Sequence, residues 1–399
     1  MVRFMDRTTP PHIATLILLA GISALNMSIF LPSLNRMADF FDTDYAIVQL
    51  AISGYLAATA VIQIVVGPLS DRFGRRPVVL GALGIFVVAT VGAMLTTHIA
   101  AFLAFRMIQA VVAAGMVLSR AVVRDMVPQA QAASMIGYVT MGMALVPMVG
   151  PVIGGALEQA FDWRATFLLL TLAGAAVFVL CWMDLGETVS GGGVGFAEQV
   201  RGYPELLSSP RFWGYSLCAA FGSGAFFALL GGAPLVAEEV FELPPLLTGL
   251  ALGSPAIGYA LGNYLSGRFS VRVGIDRMAL IGTAVSSAGM ALSLAFTLAG
   301  LSHPVLFFGF CTTLGLGNGM LLPNSIAGSL SVRPRLAGTA SGLSGAIMIG
   351  GGAALASWAG ALPTDELGPA PLQTIMLVTS MLAGVSILTV MWRARAIGA

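Results

Sequence analysis

The stretch GPLSDRFGRRP, residues 67–77, sets Asp71 among Arg72, Arg75 and Arg76 in a chain that is only 9% charged. A carboxylate there needs donors. Arg124 in the later stretch SRAVVRDM (119–126) is one candidate. The first turn of a helix near Ala337 and Gly338, with its free N–H groups and partial positive charge, is another. Arg106, in FRMIQAVVAAG (105–115), lies inside an apolar run with Gln109 close by on the same helix. A charge so placed costs about 2.5–3.5 kcal/mol at the centre of a membrane helix, so it should face a polar cavity. The chemistry that is missing is equally informative. No Asp, Glu, His or Lys stands in the middle of an apolar run, which leaves no cluster for metal or acid–base catalysis. Cys181, Cys218 and Cys311 lack metal-ligand or redox spacing and read as small buried hydrophobes. No cofactor and no enzymatic activity are expected.

These residues must be carried by membrane helices. The chain has 399 residues, 57% of them hydrophobic, too many for a soluble surface. Its net charge of +1 implies no nucleic-acid partner. Reading for runs of about 20 apolar residues gives twelve spans, near 13–34, 46–67, 77–97, 100–122, 132–155, 164–185, 213–233, 246–267, 279–299, 305–327, 337–358 and 372–392. They are too long for barrel strands, so the expected fold is an all-α polytopic helical bundle. The first run follows Arg3 and Arg7 and is too long for the core of a signal peptide, so it reads as a retained span.

The arginines set the expected orientation. With a cytoplasmic N-terminus, 16 of the 19 fall in cytoplasmic segments, and only Arg36, Arg106 and Arg164 do not. Both termini are then inside. Residues 186–212 form the one long linker, with GETVSGGGVG at its start and a short interfacial helix expected in FAEQVRGYPELL unless Pro204 breaks it. The expected organisation is an N-terminal bundle over 1–185, the linker, and a C-terminal bundle over 213–399.

The two bundles echo each other at an offset of 200 residues. Gly67 and Gly74 match Gly267 and Gly274, Arg72 matches Arg272, and Gly142 and Gly150 match Gly342 and Gly350. Asp71 matches Val271. Parallel six-span repeats are a transporter feature, with substrate bound between them at the midplane.

The chain resembles the major facilitator superfamily over nearly its whole length. GPLSDRFGRRP is similar to the superfamily signature between the second and third spans. FRMIQAVVAAG resembles its Arg-bearing fourth-span motif, and GPVIGG (150–155) its fifth-span antiporter motif. LPSL (31–34), SRAVVRDM, WRATF (163–167) and YPELLSSPRFWGY (203–215) resemble the Bcr/CflA branch of drug exporters.

The resemblance implies an alternating-access exporter of small amphiphilic or drug-like molecules in a bacterial inner membrane. A dedicated exporter of one metabolite and an uncoupled facilitator remain the alternatives. Its partners would be a small-molecule substrate and the lipid bilayer, and it would act as a monomer. The resemblance also implies a cytoplasmic latch that holds the halves together when the transporter is open outward. The latch group comprises Gly67, Asp71, Arg72, Gly74, Arg75, Arg120, Arg124 and Asp125. Gly67 and Gly74 would serve tight turns. Pro147, Gly150, Pro151, Gly154 and Gly155 would bend and closely pack the fifth span and seal the cavity. The cavity set is Arg106, Gln109, Asn26, Phe30, Tyr55, Phe226, Tyr259, Asn263, Asn318 and Asn324. One departure matters. Exporters of this branch carry an acid in the first span before Leu-Pro, where this chain has SALNMSIFLPSL (23–34). A cavity with Arg106 and no facing carboxylate suits neutral or anionic amphiphiles. Coupling to protons stays open.

Overall fold

The computed structural model describes residues 4–126, 149–188, 204–333, 336–362 and 368–397, with Met135, Val139 and Val146. Every regular element among them is helical. The helices are α1 (Ile13–Ser28), α2 (Leu50–Phe73), α3 (Arg75–Leu95), α4 (Ile99–Gln109 and Ala114–Met126, joined by a 3-10 turn), α5 (149–160) and α6 (Arg164–Asp184). After the linker come α7 (Pro210–Leu235), α8 (Pro245–Val273), α9 (Ile275–Leu298), α10 (Pro304–Ser331), α11 (Ala337–Gly360) and α12 (Ala370–Ile397).

Ten helical stretches among the described residues are long and apolar enough to cross a membrane. The 29-residue α8 is long enough too, but glycines and serines dilute its apolar character. Of the fifth span, 149–160 is described as a continuous helix, together with the single residues Met135, Val139 and Val146.

Two breaks follow directly from sequence. α1 ends at Ser28 because Leu31-Pro32-Ser33 turns as a 3-10 helix, where proline's missing N–H does no harm. The chain then continues as a short helix, Leu34–Phe40. α2 runs straight through Gly67, Pro68 and Asp71 and stops at Gly74, whose φ of 94° ends it. The expected tight turn at Gly67 is therefore corrected. Gly67 is helical and meets nothing within 4 Å, since one residue with positive φ is enough to reverse the chain. Pro77 lies in the first turn of α3. In the linker, Pro204 opens a short helix over 204–207 rather than breaking one.

The C-terminal helices pack through glycine. A Cβ on Gly258 would strike the Thr312 carbonyl, and one on Gly315 the Pro255 carbonyl, so α8 and α10 touch backbone to backbone. α9 meets α10 the same way, with Gly282 against the Gly317 carbonyl. The halves of the chain meet through α2 against α11 and α5 against α8. They also meet at the end opposite the Gly74 and Gly274 turns, called the far end below. There Gln49 Nε2 donates to the Ala356 carbonyl at 2.5 Å, and Tyr45 Oη to the Gly231 carbonyl at 3.1 Å.

Candidate functional site

Arg106 is fully buried, at 0% exposure, yet no carboxylate among the described residues touches it. Its guanidinium donates to Gln109 Oε1 at 2.5 Å and to Asn26 Oδ1 at 2.9 Å. Longer contacts of 3.3–3.4 Å reach the carbonyls of Asn26 and Ala51. The Asn26 carbonyl belongs to the last turn of α1, where carbonyls lack helical partners and form the negative end of the dipole. A helix terminus thus supplies the counter-charge. The rings of Phe30 and Tyr55 cover the cation at 4.3 and 4.7 Å. Gln109 is fixed in turn by donating to Thr90 Oγ1 at 2.8 Å.

The structure therefore brings Asn26, Phe30, Tyr55, Arg106 and Gln109 to one place, where α1, α2 and α4 meet. This cluster lies in the interior of the N-terminal half rather than lining open space. Asn26 Nδ2 is buried there without an acceptor among the described residues.

The C-terminal members of the expected cavity do not converge. Asn324 donates to Ser266 Oγ at 2.8 Å and ties α10 to α8. Asn263 donates to the Tyr259 carbonyl of its own helix at 2.8 Å. Asn318 is buried near Gly222 of α7, its Oδ1 without a donor among the described residues. Phe226 packs with Phe227, their ring centroids 6.1 Å apart. Tyr259 has a different neighbourhood: it lies near Arg120 of α4, across the boundary between the halves. Arg120 Nε is buried without an acceptor among the described residues. Sequence reasoning puts Arg120 in the latch; the structure turns it toward α8.

At the Gly74 turn, Arg75 is the hub. It pairs with Asp71 at 2.5 Å and with Asp125 of α4 at 3.1 Å, and also donates to Ser70 Oγ. Asp71 thus engages Arg75, four residues on. The Arg124 side chain lies outside the described set. Arg72 stands over the Phe73 ring at 5.2 Å. Glu187, which sequence reasoning misses, accepts from the free N–H groups of Arg75 and Arg76 at 2.9 and 3.3 Å and caps α3. Asp184 does the same for the start of α1, accepting from His12 N at 2.8 Å and Thr15 Oγ1 at 2.6 Å.

In the fifth-span motif, Pro147 lies outside the described residues. Gly150 and Gly154 lie against Ser28 and the Ile29 carbonyl, both beside α1. Gly155 abuts the Pro245 carbonyl, while Gly249 of α8 abuts the Pro151 carbonyl. The motif therefore packs one face on its own half and the other on the opposite half. Four residues past Gly154 the same face carries Glu158, whose side chain is only 1% exposed. Sequence reasoning misses it because the apolar run ends at 155 while the helix continues to 160. The i, i+4 spacing from Gly154 is the signal that could have found it.

The Major Facilitator Superfamily model matches residues 16–357. The chain is 28% identical over 371 residues to a bicyclomycin resistance protein homolog of Haemophilus influenzae, covering 91% of this chain and 92% of that protein. It is 30% identical over 336 residues to a chloramphenicol resistance protein of Pseudomonas aeruginosa, covering 82% and 78%. Its fold matches a crystal structure of a bacterial homolog of the human lysosomal transporter Spinster, inward-facing and unoccupied. The TM-score is 0.72 at 17% identity, over 96% of both chains. The chain belongs to the Major Facilitator Superfamily.

Proposed function

We propose that this transporter exports small, drug-like amphiphiles of neutral or anionic character by alternating access across a bacterial inner membrane. The resistance proteins it is similar to support the exporter reading. The observation that carries the substrate class is Arg120 Nε, buried without an acceptor among the described residues and near Tyr259 of the other half. Such a donor favours acceptor-rich or anionic ligands and disfavours lipophilic cations. Arg120 and Tyr259 lie near each other across the two halves, where a bound molecule would be sensed by both.

The arginine-rich end with Gly74 and Gly274 is cytoplasmic in this reading, with both termini inside and two six-helix bundles joined by residues 186–212. The far end is then periplasmic, and its closure makes this the inward-facing state. Asp71, Arg75 and Asp125 form the cytoplasmic latch group, held within the first half while the far end is shut. The fifth-span glycines contribute to the far-end seal. The protein works as a monomer.

An efflux panel in cells lacking other exporters tests the substrate class. Neutral and anionic amphiphiles should be expelled, and Arg120→Ala should reduce this about tenfold without lowering protein level. Strong expulsion of ethidium-like cations that Arg106→Ala abolishes in a folded protein would falsify it.

A further inference from the structure

α2 and α11 meet across the two halves in one antiparallel register. At the far end Gln49 lies against Gly360 and donates to the Ala356 carbonyl. Further along, a Cβ on Gly350 would stand 4.0 Å from the Ala60 Cβ. Further still, a Cβ on Gly345 would stand 2.8 Å from Gln63 Oε1. Each step along α2 is matched by a similar step back along α11, as antiparallel helices side by side require. One turn closer to the Gly74 turn, on the same face of α2, Gly67 meets nothing within 4 Å among the described residues. The covered part of this face therefore ends at Gln63, and a gap begins beyond it.

Gln63 is the only polar side chain between Thr59 and Ser70. Within Leu50–Phe73 it stands about 20 Å from one end of α2 and about 15 Å from the other. That depth lies inside the ~30 Å hydrocarbon core. A bare amide in hydrocarbon is unfavourable, so a polar side chain at such a depth faces the bundle interior or water. The two glutamines on this face are used differently. Gln49 is 1% exposed and hydrogen-bonded across the halves. Gln63 is only partly buried, and its amide makes no hydrogen bond among the described residues. Its Oε1 adjoins a glycine of the opposite half, which leaves the amide room. A donor and an acceptor thus stand free at the edge of the gap, between the two bodies that alternate.

Resting on the exporter reading above, we propose that Gln63 is a substrate-binding residue that selects neutral amphiphiles carrying an adjacent hydrogen-bond donor and acceptor, such as a carboxamide or a sulfonamide. An amide side chain offers both partners at once and carries no charge. A ligand group with the same pair engages it in two reciprocal hydrogen bonds. A ligand that lacks the donor leaves the Gln63 oxygen unpaired in a partly dry cleft and binds less well.

The test measures saturable transport by the full chain in proteoliposomes. The probes are dansylamide, a neutral sulfonamide; its N,N-dimethyl derivative, which has no N–H donor; and the cation ethidium. Gln63→Leu should raise the KM for dansylamide about tenfold, with Vmax within about twofold. It should change the KM for the dimethyl derivative by less than about threefold. A merely structural role would lower Vmax for both probes alike. Gly345→Ala should also raise the dansylamide KM, because its methyl displaces the Gln63 amide, and should add nothing in the Gln63→Leu background. Gln63→Glu keeps the shape and adds a carboxylate, so ethidium should become a substrate. An unchanged KM in Gln63→Leu, equal changes for the two sulfonamides, or exclusion of ethidium by Gln63→Glu would overturn the assignment and leave the exporter reading intact. Wild-type protein that transports neither sulfonamide would overturn both.

Discussion

Gly74 joins α2 to α3 at φ 94° and ψ 151°, and Gly274 joins α8 to α9 at φ 91° and ψ 146°. The preceding Gly67 and Gly267 are helical and uncrowded in both copies. The surroundings diverge. At the first turn Asp71, Arg75 and Asp125 interlock, and Glu187 closes over Gly74. At the second, Val271 stands 94% exposed in the place of Asp71, Ile275 replaces Arg75, and nothing crowds Gly274. The repeat needs the glycine, because L-residues avoid that backbone region. It does not need the ions, so the charged network is an addition to the fold that serves something else. Glycine packing is common to both halves, but among the described residues only the first buries an arginine among carbonyls and rings.

The largest expected effect breaks the glycine side of this contrast. Gly315→Val drives a branched side chain into the Pro255 carbonyl and should cost about 4 kcal/mol or more, because backbone cannot move aside. Size-exclusion profiles should show no monodisperse protein; a normal peak would mean that α8 and α10 are not held as described. Next come the turns themselves. Gly74→Ala and Gly274→Ala should each lose about 1–3 kcal/mol to backbone strain. Gly74→Ala should lose more, because its methyl also meets the Glu187 carboxylate. Thermal unfolding in detergent reads the difference, and Glu187→Ala should narrow it. Equal losses would remove the distinction between the two turns. The smaller effect concerns function. Asp71→Asn removes a charge-assisted contact of about 1.5–3 kcal/mol and should lower transport by roughly tenfold or more at nearly normal protein level. Val271→Asn should leave transport within about twofold, since its side chain contacts little; as an exposed change it is worth at most about 0.5 kcal/mol.

Much of this was legible in the residues. The 200-residue offset located both glycine turns, and apolar runs located the helices that flank them. A lone arginine in an apolar run, three residues before a glutamine, marked Arg106 and Gln109, and Asn26 followed from its place before Leu-Pro. Other features depended on three-dimensional phase. Arg120 sits one turn before Arg124 and looks like part of the same basic end, but it turns toward α8. Sequence offered Arg124 and a distant helix terminus as partners of Asp71 and passed over Arg75, four residues on, which the turn at Gly74 brings onto it. Glu158 was missed because hydropathy ends the fifth run at 155 while its helix continues to 160.

The account stands most directly on what the purified protein moves. In proteoliposomes, a neutral and an anionic amphiphile should show saturable, protein-dependent transport, reduced about tenfold by Asp71→Asn and unaffected by Val271→Asn, with ethidium transported poorly. Efficient ethidium transport, or equal losses from Asp71→Asn and Val271→Asn, would contradict it.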